Sequence, residues 1–197
     1  MAGIIVDIGT GDGEFTYKIA KENPDRLVIG IDPNHKSMIN VSTKVDKKPA
    51  KGGLENAMFV LADVENLPEE LNGVANQVFI NFPWGSLLRA VVNVEQVAWK
   101  SIKRICQDGA QIDVVFGYDP IKDAGELKRL GIDEDISLEY IRSFMSPKLE
   151  KLGFKLIESE ELSDEELQNY PSSWAKRLSH AGGNRRYYCL KLLCVKR

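Results

Sequence analysis

The sequence has few of the residues that build metal sites and disulfides. Its 197 residues include two histidines and three cysteines, and Cys106, Cys189 and Cys194 form no Cys-x-x-Cys pair. All three cysteines lie in apolar segments, where an unpaired thiol packs as a small hydrophobic group. We therefore predict buried free thiols, no disulfide and no metal site.

A long apolar run is also missing. No segment approaches the roughly 20 apolar residues that cross a bilayer as a helix, and Met1-Ala2-Gly3 leads into the first apolar strand without the regions of a signal peptide. With 43% hydrophobic and 28% charged residues, the chain has the composition of an ordinary globular domain. We predict a single domain spanning residues 1–197, and we expect a cytoplasmic monomer that does not bind membranes.

The chain has no overall positive charge, since its formal net charge is −3. The charge is nevertheless unevenly distributed, because residues 174–197 contain several basic side chains and no acidic one. A second basic cluster consists of Lys44, Lys47, Lys48 and Lys51. Either cluster alone is equally consistent with a solvated face, whereas two clusters near one ligand pocket would bind the phosphate backbone of a nucleic acid.

Apolar runs that favour β-strands recur along the chain and are mostly separated by segments with helical spacing. This alternation predicts a doubly wound α/β fold with a seven-stranded sheet, in which the last run is long enough to pair antiparallel. The predicted strands are Ile4–Asp7, Leu27–Ile31, Met58–Ala62, Gln77–Phe82, Ile112–Phe116, Phe154–Glu158 and Tyr187–Val195.

Helical composition or spacing is clearest in residues 14–21, 37–45 and 94–106. In the last of these segments we expect the inward face to carry Val97, Ala98, Ile102 and Ile105, and Trp99 to pack in the core. Residues 119–145 and 162–183 do not fit the alternation and are predicted to be insertions, the first with one or two helices. Such insertions are where α/β folds build substrate specificity.

The motif that best indicates function is the turn after the first strand. Residues 6–13 read Val-Asp-Ile-Gly-Thr-Gly-Asp-Gly, and glycines at positions 9, 11 and 13 would let the backbone turn sharply and a ligand approach it closely. The second strand ends in Asp32, where a carboxylate accepts hydrogen bonds from ribose hydroxyls. Together these features predict a nucleoside site, although a tight turn without a ligand is the simpler alternative.

Carboxylates near the turn distinguish between nucleoside ligands. Asp7 precedes the turn and Asp12 lies within it. Negative charges at these positions would repel a pyrophosphate and attract a cationic amino group. The residues therefore favour S-adenosylmethionine as the cofactor, with S-adenosylhomocysteine as its product.

Two tryptophans are candidates for binding a base. The fourth predicted strand ends in Asn-Phe-Pro-Trp-Gly-Ser, residues 81–86, and Trp84 would offer a flat face to a purine. Trp174 opens the basic C-terminal stretch, and two tryptophans would hold between them a base that has left its helix. The alternative for Trp84 is a turn capped by a buried aromatic residue.

Five segments carry a resemblance that runs in order across nearly the whole chain. They read Val-Asp-Ile-Gly-Thr-Gly-Asp-Gly, Ile-Gly-Ile-Asp-Pro, Lys-Lys-Pro-Ala-Lys-Gly-Gly-Leu, Phe-Pro-Trp-Gly-Ser-Leu-Leu and Ser-Trp-Ala-Lys-Arg-Leu. They closely resemble the aminoglycoside-resistance methyltransferases that modify N1 of adenine-1408 in 16S ribosomal RNA, the kanamycin–apramycin resistance type. This resemblance implies a class I, Rossmann-like S-adenosylmethionine-dependent methyltransferase that acts on the 30S subunit.

The same resemblance implies roles for individual residues. Around the cofactor it implies contacts by Asp7, Gly9, Thr10, Gly11, Asp32, Pro33, Asp63, Val64 and Glu65. At the target base it implies stacking by Trp84 and Trp174, with Phe82, Pro83 and Ser172 beside them. For RNA docking it implies Lys44, Lys47, Lys48, Lys51, Arg177, Arg185 and Arg186, with the insertions at 119–145 and 162–183 as the RNA-substrate region.

Two other functions stay open on the sequence alone. A small-molecule methyltransferase of the same fold would have a lidded apolar pocket instead of an exposed basic rim. A non-catalytic RNA-binding or ribosome-assembly protein would retain the fold without turnover. Asp7, Asp32 and the three turn glycines are all present, and they count against the non-catalytic alternative.

Overall fold

A mixed seven-stranded sheet organises the computed structural model, which describes residues 2–132, 135–172, 175 and 185–196. The strand order is β3-β2-β1-β4-β5-β7-β6, and β7 runs antiparallel to both β5 and β6, as predicted. The remaining pairs are parallel, so their carboxyl ends meet at one edge. The strands are β1 (Ile4–Ile8), β2 (Leu27–Asp32), β3 (Ala57–Leu61), β4 (Ala75–Asn81), β5 (Cys106–Tyr118), β6 (Phe154–Glu161) and β7 (Arg186–Cys194).

Helices cover both faces of the sheet, which confirms the doubly wound architecture. In the first insertion, α6 continues through a π-helical turn (Ile141–Met145) into α7. The helices are α1 (Glu14–Glu22), α2 (His35–Val45), α3 (Gly85–Val92), α4 (Gln96–Ile105), α5 (Ala124–Arg129), α6 (Leu138–Tyr140), α7 (Ser146–Lys151) and α8 (Asp164–Asn169). Short 3-10 turns occupy Pro49–Lys51, Val64–Asn66 and Glu69–Leu71.

The hydrophobic core lies in two layers, one on each face of the sheet. On one face Ile5 and Val28 pack with Phe15 of α1 and Val41 of α2. On the other face the buried indole of Trp99 packs edge-on against Phe154, at 5.0 Å between ring centroids, and donates a hydrogen bond to the carbonyl of Ala90. Trp99 is therefore a core residue, as predicted.

Three details differ from the sequence-based expectation. Val97 is exposed, since it lies in the first turn of α4 and about 100° around the helix from the buried Ala98. Strand β5 begins at Cys106 and not at Ile112. The prediction missed the first part of this strand because its exposed residues are mostly polar and show no apolar strand pattern. Cys106 and Cys194 are buried free thiols as predicted, whereas Cys189 is half-buried.

No helix among the described residues is long and apolar enough to cross a membrane.

Candidate functional site

The glycine turn is tied to the end of β2 by backbone hydrogen bonds. The amides of Gly9 and Thr10 both donate to the carbonyl of Ile31, at 2.8 and 3.0 Å. The amide of Gly11 donates to Oδ2 of Asp32 at 2.9 Å. The turn and the acidic residue that the sequence analysis paired across 21 positions are therefore one hydrogen-bonded unit.

The turn glycines are required by the protein's own backbone conformation and packing. Gly9, Gly11 and Gly13 have φ of +76°, +58° and +75°, the left-handed region that glycine adopts at low cost. A Cβ on Gly9 would lie 2.5 Å from Cδ2 of Leu87, and one on Gly13 would lie 2.7 Å from the Phe59 ring. These two neighbours are side chains of the protein itself, and no pattern in the sequence indicated them.

Two backbone amides fix the orientation of the Asp32 carboxylate. One oxygen accepts from the Gly11 amide and the other accepts from the Asn34 amide at 2.8 Å. The side chain is half-buried at the end of β2, just before α2 begins. Each oxygen retains a free lone pair, so the carboxylate is prepared to accept further hydrogen bonds.

A cleft of about 330 Å³ opens beside this turn. Asp63 shapes its far wall, because Oδ1 accepts from the amides of Glu65 and Asn66 at 2.9 Å and so closes a tight turn. Ser86 and Leu87, from the first turn of α3, were not predicted to line it. The lining residues are Ile8, Gly9, Ile31, Pro33, Ala62, Asp63, Val64, Glu65, Ser86 and Leu87, which include five of the predicted cofactor contacts.

Asp7 is buried beneath the turn, with 1% of its surface exposed. Thr16 donates a hydrogen bond to Oδ2 at 2.8 Å, and the Thr16 hydroxyl also contacts that of Thr10 at 2.7 Å. Burial raises the pKa of the Asp7 carboxyl to about 6, although the nearby hydroxyl groups of Thr10 and Thr16 act in the opposite direction. Its other oxygen, Oδ1, has no hydrogen-bond partner among the described residues.

The end of β4 brings Trp84 to the surface beside the cleft. Phe82 has a φ of +48°, an uncommon value for a residue with a side chain, and its amide donates to the Val115 carbonyl at 2.6 Å. Trp84 is 51% exposed and directly precedes α3. The alternative of a turn capped by a buried aromatic residue is therefore wrong for Trp84.

Two residues that the sequence analysis missed lie behind this turn. Asn81 is 9% exposed, and its Oδ1 accepts a hydrogen bond from the Tyr170 hydroxyl at 2.6 Å. The Tyr170 ring stacks on Phe15 and meets Phe82 edge-on, with centroids 6.4 and 5.7 Å apart. The Asn-Phe-Pro-Trp motif was a usable signal for Asn81, whereas no sequence pattern connected Tyr170 to it.

Ser172 lies close to the same place in the fold. It is buried, and its amide donates to the Tyr170 carbonyl at 2.8 Å. The second insertion therefore reaches the end of β4 through Tyr170, to which Ser172 is hydrogen-bonded. Trp174 and Arg177 lie outside the described residues.

The lysine cluster begins with Lys44 in the last turn of α2 and continues into the tightly wound loop that follows. The Lys44 ammonium lies 3.7 Å from the centroid of the Tyr17 ring, and the Tyr17 hydroxyl donates to the Gly52 carbonyl at 2.9 Å. A Cβ on Gly53 would collide with the Lys47 carbonyl oxygen, so this position requires glycine. The remaining lysines, Lys47, Lys48 and Lys51, are exposed.

The two predicted arginines before and within β7 both have acidic partners. Arg185 forms a bidentate ion pair with Asp123, at 2.7 and 3.0 Å, and the two side chains are 18% and 10% exposed. Arg186 pairs with Asp135 at 3.2 Å in a more exposed position. Arg185 thus connects the first insertion to the start of β7.

Comparisons with known proteins agree with this geometry. The family model for 16S rRNA (adenine(1408)-N(1))-methyltransferase matches residues 1–192. An Escherichia coli enzyme of that name is 34% identical over 88% of this chain and 80% of its own length, and one from Streptoalloteichus tenebrarius is 33% identical over 89% and 80%. The chain belongs to the 16S rRNA (adenine(1408)-N(1))-methyltransferase family.

Solved structures of the family have the same fold as this methyltransferase. A tryptophan variant of the Catenulisporales acidiphilia enzyme, with cosubstrate SAM, superposes with a TM-score of 0.88 at 29% identity, covering 99% of this chain and 87% of that chain. The aminoglycoside resistance methyltransferase NpmB1 gives a TM-score of 0.81 at 35% identity, covering 98% and 88%. The family resemblance and the fold read from the sequence are confirmed, whereas the roles of individual residues stay predictions.

Proposed function

We propose that this protein transfers a methyl group from S-adenosylmethionine to N1 of adenine-1408 in the 16S rRNA of the 30S subunit, and that it acts as a cytoplasmic monomer. The exposed Trp84 carries this proposal. It immediately precedes α3, and Ser86 and Leu87 in the first turn of that helix line the cofactor cleft. A base stacked on Trp84 is therefore held beside the cleft.

The cleft suits S-adenosylmethionine in shape and charge. Asp32 accepts hydrogen bonds from the ribose hydroxyls, and Ile31, Pro33, Ala62 and Val64 provide apolar walls for the adenine. Asp63 and Glu65 complete that side, while Asp7, Gly9, Thr10 and Gly11 hold the amino-acid end. The cofactor supplies an electrophilic methyl group on a sulfonium, and its positive charge is attracted by the surrounding carboxylates.

The protein's contribution to the reaction is chiefly positioning. Adenine N1 already has an in-plane lone pair, so no general base is needed to create the nucleophile. Aligning nucleophile, methyl carbon and leaving sulfur contributes about 7–11 kcal/mol when the geometry is nearly ideal. Extracting the base from its helix costs a few kcal/mol, and stacking on Trp84 and Trp174 offsets about 1–3 kcal/mol per stacked base.

Docking on RNA uses the surface around the cleft. Lys47, Lys48 and Lys51 are exposed on their loop, where they contact RNA phosphates. Lys44, at the end of α2, adds a further positive charge to this surface. Arg177 and Arg186 bind the RNA backbone near the flipped base. Arg185 contacts the RNA while it is held by its ion pair with Asp123. The walls of the base pocket are formed by Phe82, Pro83 and Ser172. The segments 119–145 and 162–183 form the RNA-substrate region and recognise a folded surface by shape and phosphate spacing.

One experiment tests the function directly. The protein is incubated with labelled S-adenosylmethionine and either 30S subunits or a short RNA hairpin, and the modified nucleotide is mapped by reverse-transcription stop. We expect a stop at adenine-1408 in 30S subunits and little turnover on the hairpin. Methylation also accounts for resistance, because the methylated base is cationic and has lost a hydrogen-bond acceptor, so an aminoglycoside that docks there binds the ribosome less tightly. Labelling of small molecules but not of 30S subunits would contradict the proposal.

A further inference from the structure

Two buried polar atoms of opposite hydrogen-bonding character lie at the cofactor end of the sheet. Oδ1 of Asp7 is an acceptor, Nδ2 of Asn81 is a donor, and neither has a partner among the described residues. Asp7 and Asn81 are 1% and 9% exposed. Burying a polar group without a hydrogen-bond partner is unfavourable, so each of these atoms is a candidate for contact with a ligand.

The strand register places both side chains on the same face of the sheet. Strands β1 and β4 pair in parallel with Asp7 opposite Phe79. Because side chains alternate along a strand, Asn81 points to the same face as Phe79 and Asp7. Phe79 contacts Phe15 edge-on, and Phe15 stacks on Tyr170. Both polar side chains therefore lie on the α1 side, at the end of the sheet that carries the glycine turn.

Neighbouring hydroxyl groups fix the orientation of both side chains. The Thr16 hydroxyl donates to Oδ2 of Asp7, which leaves Oδ1 as the available acceptor. The Tyr170 hydroxyl donates to Oδ1 of Asn81, which leaves the amide nitrogen as the available donor. Burial raises the pKa of the Tyr170 phenol, so this hydroxyl stays protonated and keeps donating.

The methionine end of S-adenosylmethionine matches this pair, since it is a zwitterion with an ammonium donor and a carboxylate acceptor. We propose that Asn81 is a cofactor-positioning residue whose Nδ2 donates a hydrogen bond to the α-carboxylate, while Oδ1 of Asp7 accepts from the α-ammonium. The proposal rests on the cofactor assigned under the proposed function, and it adds a side chain that holds the charged end. Tyr170 thereby connects cofactor binding to the second insertion.

Calorimetry with two ligands tests the contact. S-adenosylhomocysteine has the amino-acid end and 5′-methylthioadenosine lacks it. For Asn81→Ala we expect S-adenosylhomocysteine to bind about tenfold more weakly, while 5′-methylthioadenosine binds within twofold of the wild-type value. Asn81→Asp replaces the donor with a negative charge and should weaken S-adenosylhomocysteine further. Asn76→Ala is the matched control, because Asn76 lies at the start of the same strand and accepts from the Ile4 amide.

Three results would overturn the assignment. Equal weakening of both ligands by Asn81→Ala, with a lowered melting temperature, would show a packing role. Unchanged S-adenosylhomocysteine affinity would exclude the carboxylate contact. Unchanged affinity together with lost 30S methylation would place Asn81 against the target base instead. Binding is measured on the free protein, so a wild type that binds S-adenosylhomocysteine without methylating 30S subunits refutes the rRNA proposal and leaves the Asn81 result interpretable.

Discussion

The cofactor side and the substrate side of this methyltransferase are built from contacts of different range. Around the glycine turn, the decisive hydrogen bond joins Gly11 to Asp32, 21 positions apart. On the substrate side, Asp123 pairs with Arg185 across 62 positions. The hydrogen bond between Asn81 and Tyr170, across 89 positions, joins the second insertion to the cofactor side. The glycine turn and Asp32 thus belong to consecutive βα units, whereas the substrate surface depends on segments that lie far apart in the chain.

Breaking the Asp123–Arg185 pair should have the largest effect. Asp123→Asn leaves the largely buried Arg185 guanidinium without its charge partner, so we expect a loss of about 3 kcal/mol, at the low end of the range for a buried pair. Methylation of 30S subunits should fall with it, while S-adenosylhomocysteine affinity stays near the wild-type value. Urea unfolding, calorimetry and the 30S assay measure these three quantities.

An exposed ion pair provides the control for that experiment. Lys191 and Glu158 lie 2.6 Å apart with 43% and 48% of their side chains exposed. Glu158→Gln should cost less than about 1 kcal/mol, because exposed pairs contribute little. Equal losses in the two variants would show that Asp123 does not connect the two segments in the way the ion pair suggests.

Because of Asp7, the free energy of unfolding should be larger in acid than at neutral pH. Its folded pKa of about 6 lies above the ordinary 3.8, so the folded state holds the proton more tightly than the unfolded state. Stability should therefore rise as pH falls from about 7 to 4, and the ionised form should cost about 3 kcal/mol above that window. Asp7→Asn should remove this cost, raising stability at pH 8 and changing it little at pH 4.

Acid should have the opposite effect on cofactor affinity, which should decrease when Asp7 is protonated. Ionised Asp7 attracts the ammonium of S-adenosylhomocysteine, so wild-type affinity should fall as pH decreases through about 6. Asp7→Asn should bind weakly at every pH. Unfolding curves and calorimetry at pH 5 and 8 measure both effects, and a pH-independent stability difference between wild type and variant would refute the assignment of this pKa.

This difference between the two sides explains what could be predicted from the sequence. The fold, Gly9 and Asp32 were accessible, because strand periodicity and a glycine turn are local patterns. The family resemblance implied the other predicted residues that line the cleft, Pro33, Asp63, Val64 and Glu65. Tyr170, the Asp123–Arg185 pair and the neighbours of the turn glycines were not accessible, since each depends on distant residues. Val97 was assigned to the wrong face because spacing alone does not fix where a helix starts.

Trp84 tests the substrate side without disturbing the core. Because the side chain is 51% exposed, Trp84→Ala should leave melting temperature and S-adenosylhomocysteine affinity nearly unchanged. Lost stacking of about 1–3 kcal/mol should slow 30S methylation by roughly 5-fold to 150-fold, and Trp84→Phe should retain part of the activity. Trp99→Phe, a change to the buried indole, is the control and should lower the melting temperature instead. A folded Trp84→Ala protein with normal turnover would exclude the stacking role, and the same design applies to Trp174.

Asp32 is the corresponding test of the cofactor side. Asp32→Ala removes the acceptor proposed for the ribose hydroxyls and should weaken S-adenosylhomocysteine by at least about tenfold, or 1.4 kcal/mol. It also leaves the amides of Gly11 and Asn34 without a side-chain partner, so Asp32→Asn, which retains one acceptor, separates turn support from ligand contact. Calorimetry on both variants decides, and unchanged affinity in both would exclude the ribose contact.

The smallest effect at physiological salt should come from the lysine loop, because exposed charges there are screened within about 8 Å. Replacing Lys47 and Lys48 together by Ala should weaken 30S binding and reduce the slope of log affinity against log salt by about two, one for each lost phosphate contact. Lys100 and Lys155 are exposed elsewhere, and their double replacement is the matched control.

Gly53→Ala should act like the loss of both lysines, since its Cβ collides with the Lys47 carbonyl, whereas Gly125→Ala meets open space and should change nothing. An unaltered salt slope in the Lys47 and Lys48 variant would remove this loop from the RNA surface and leave docking to the segments held together by Asp123 and Arg185.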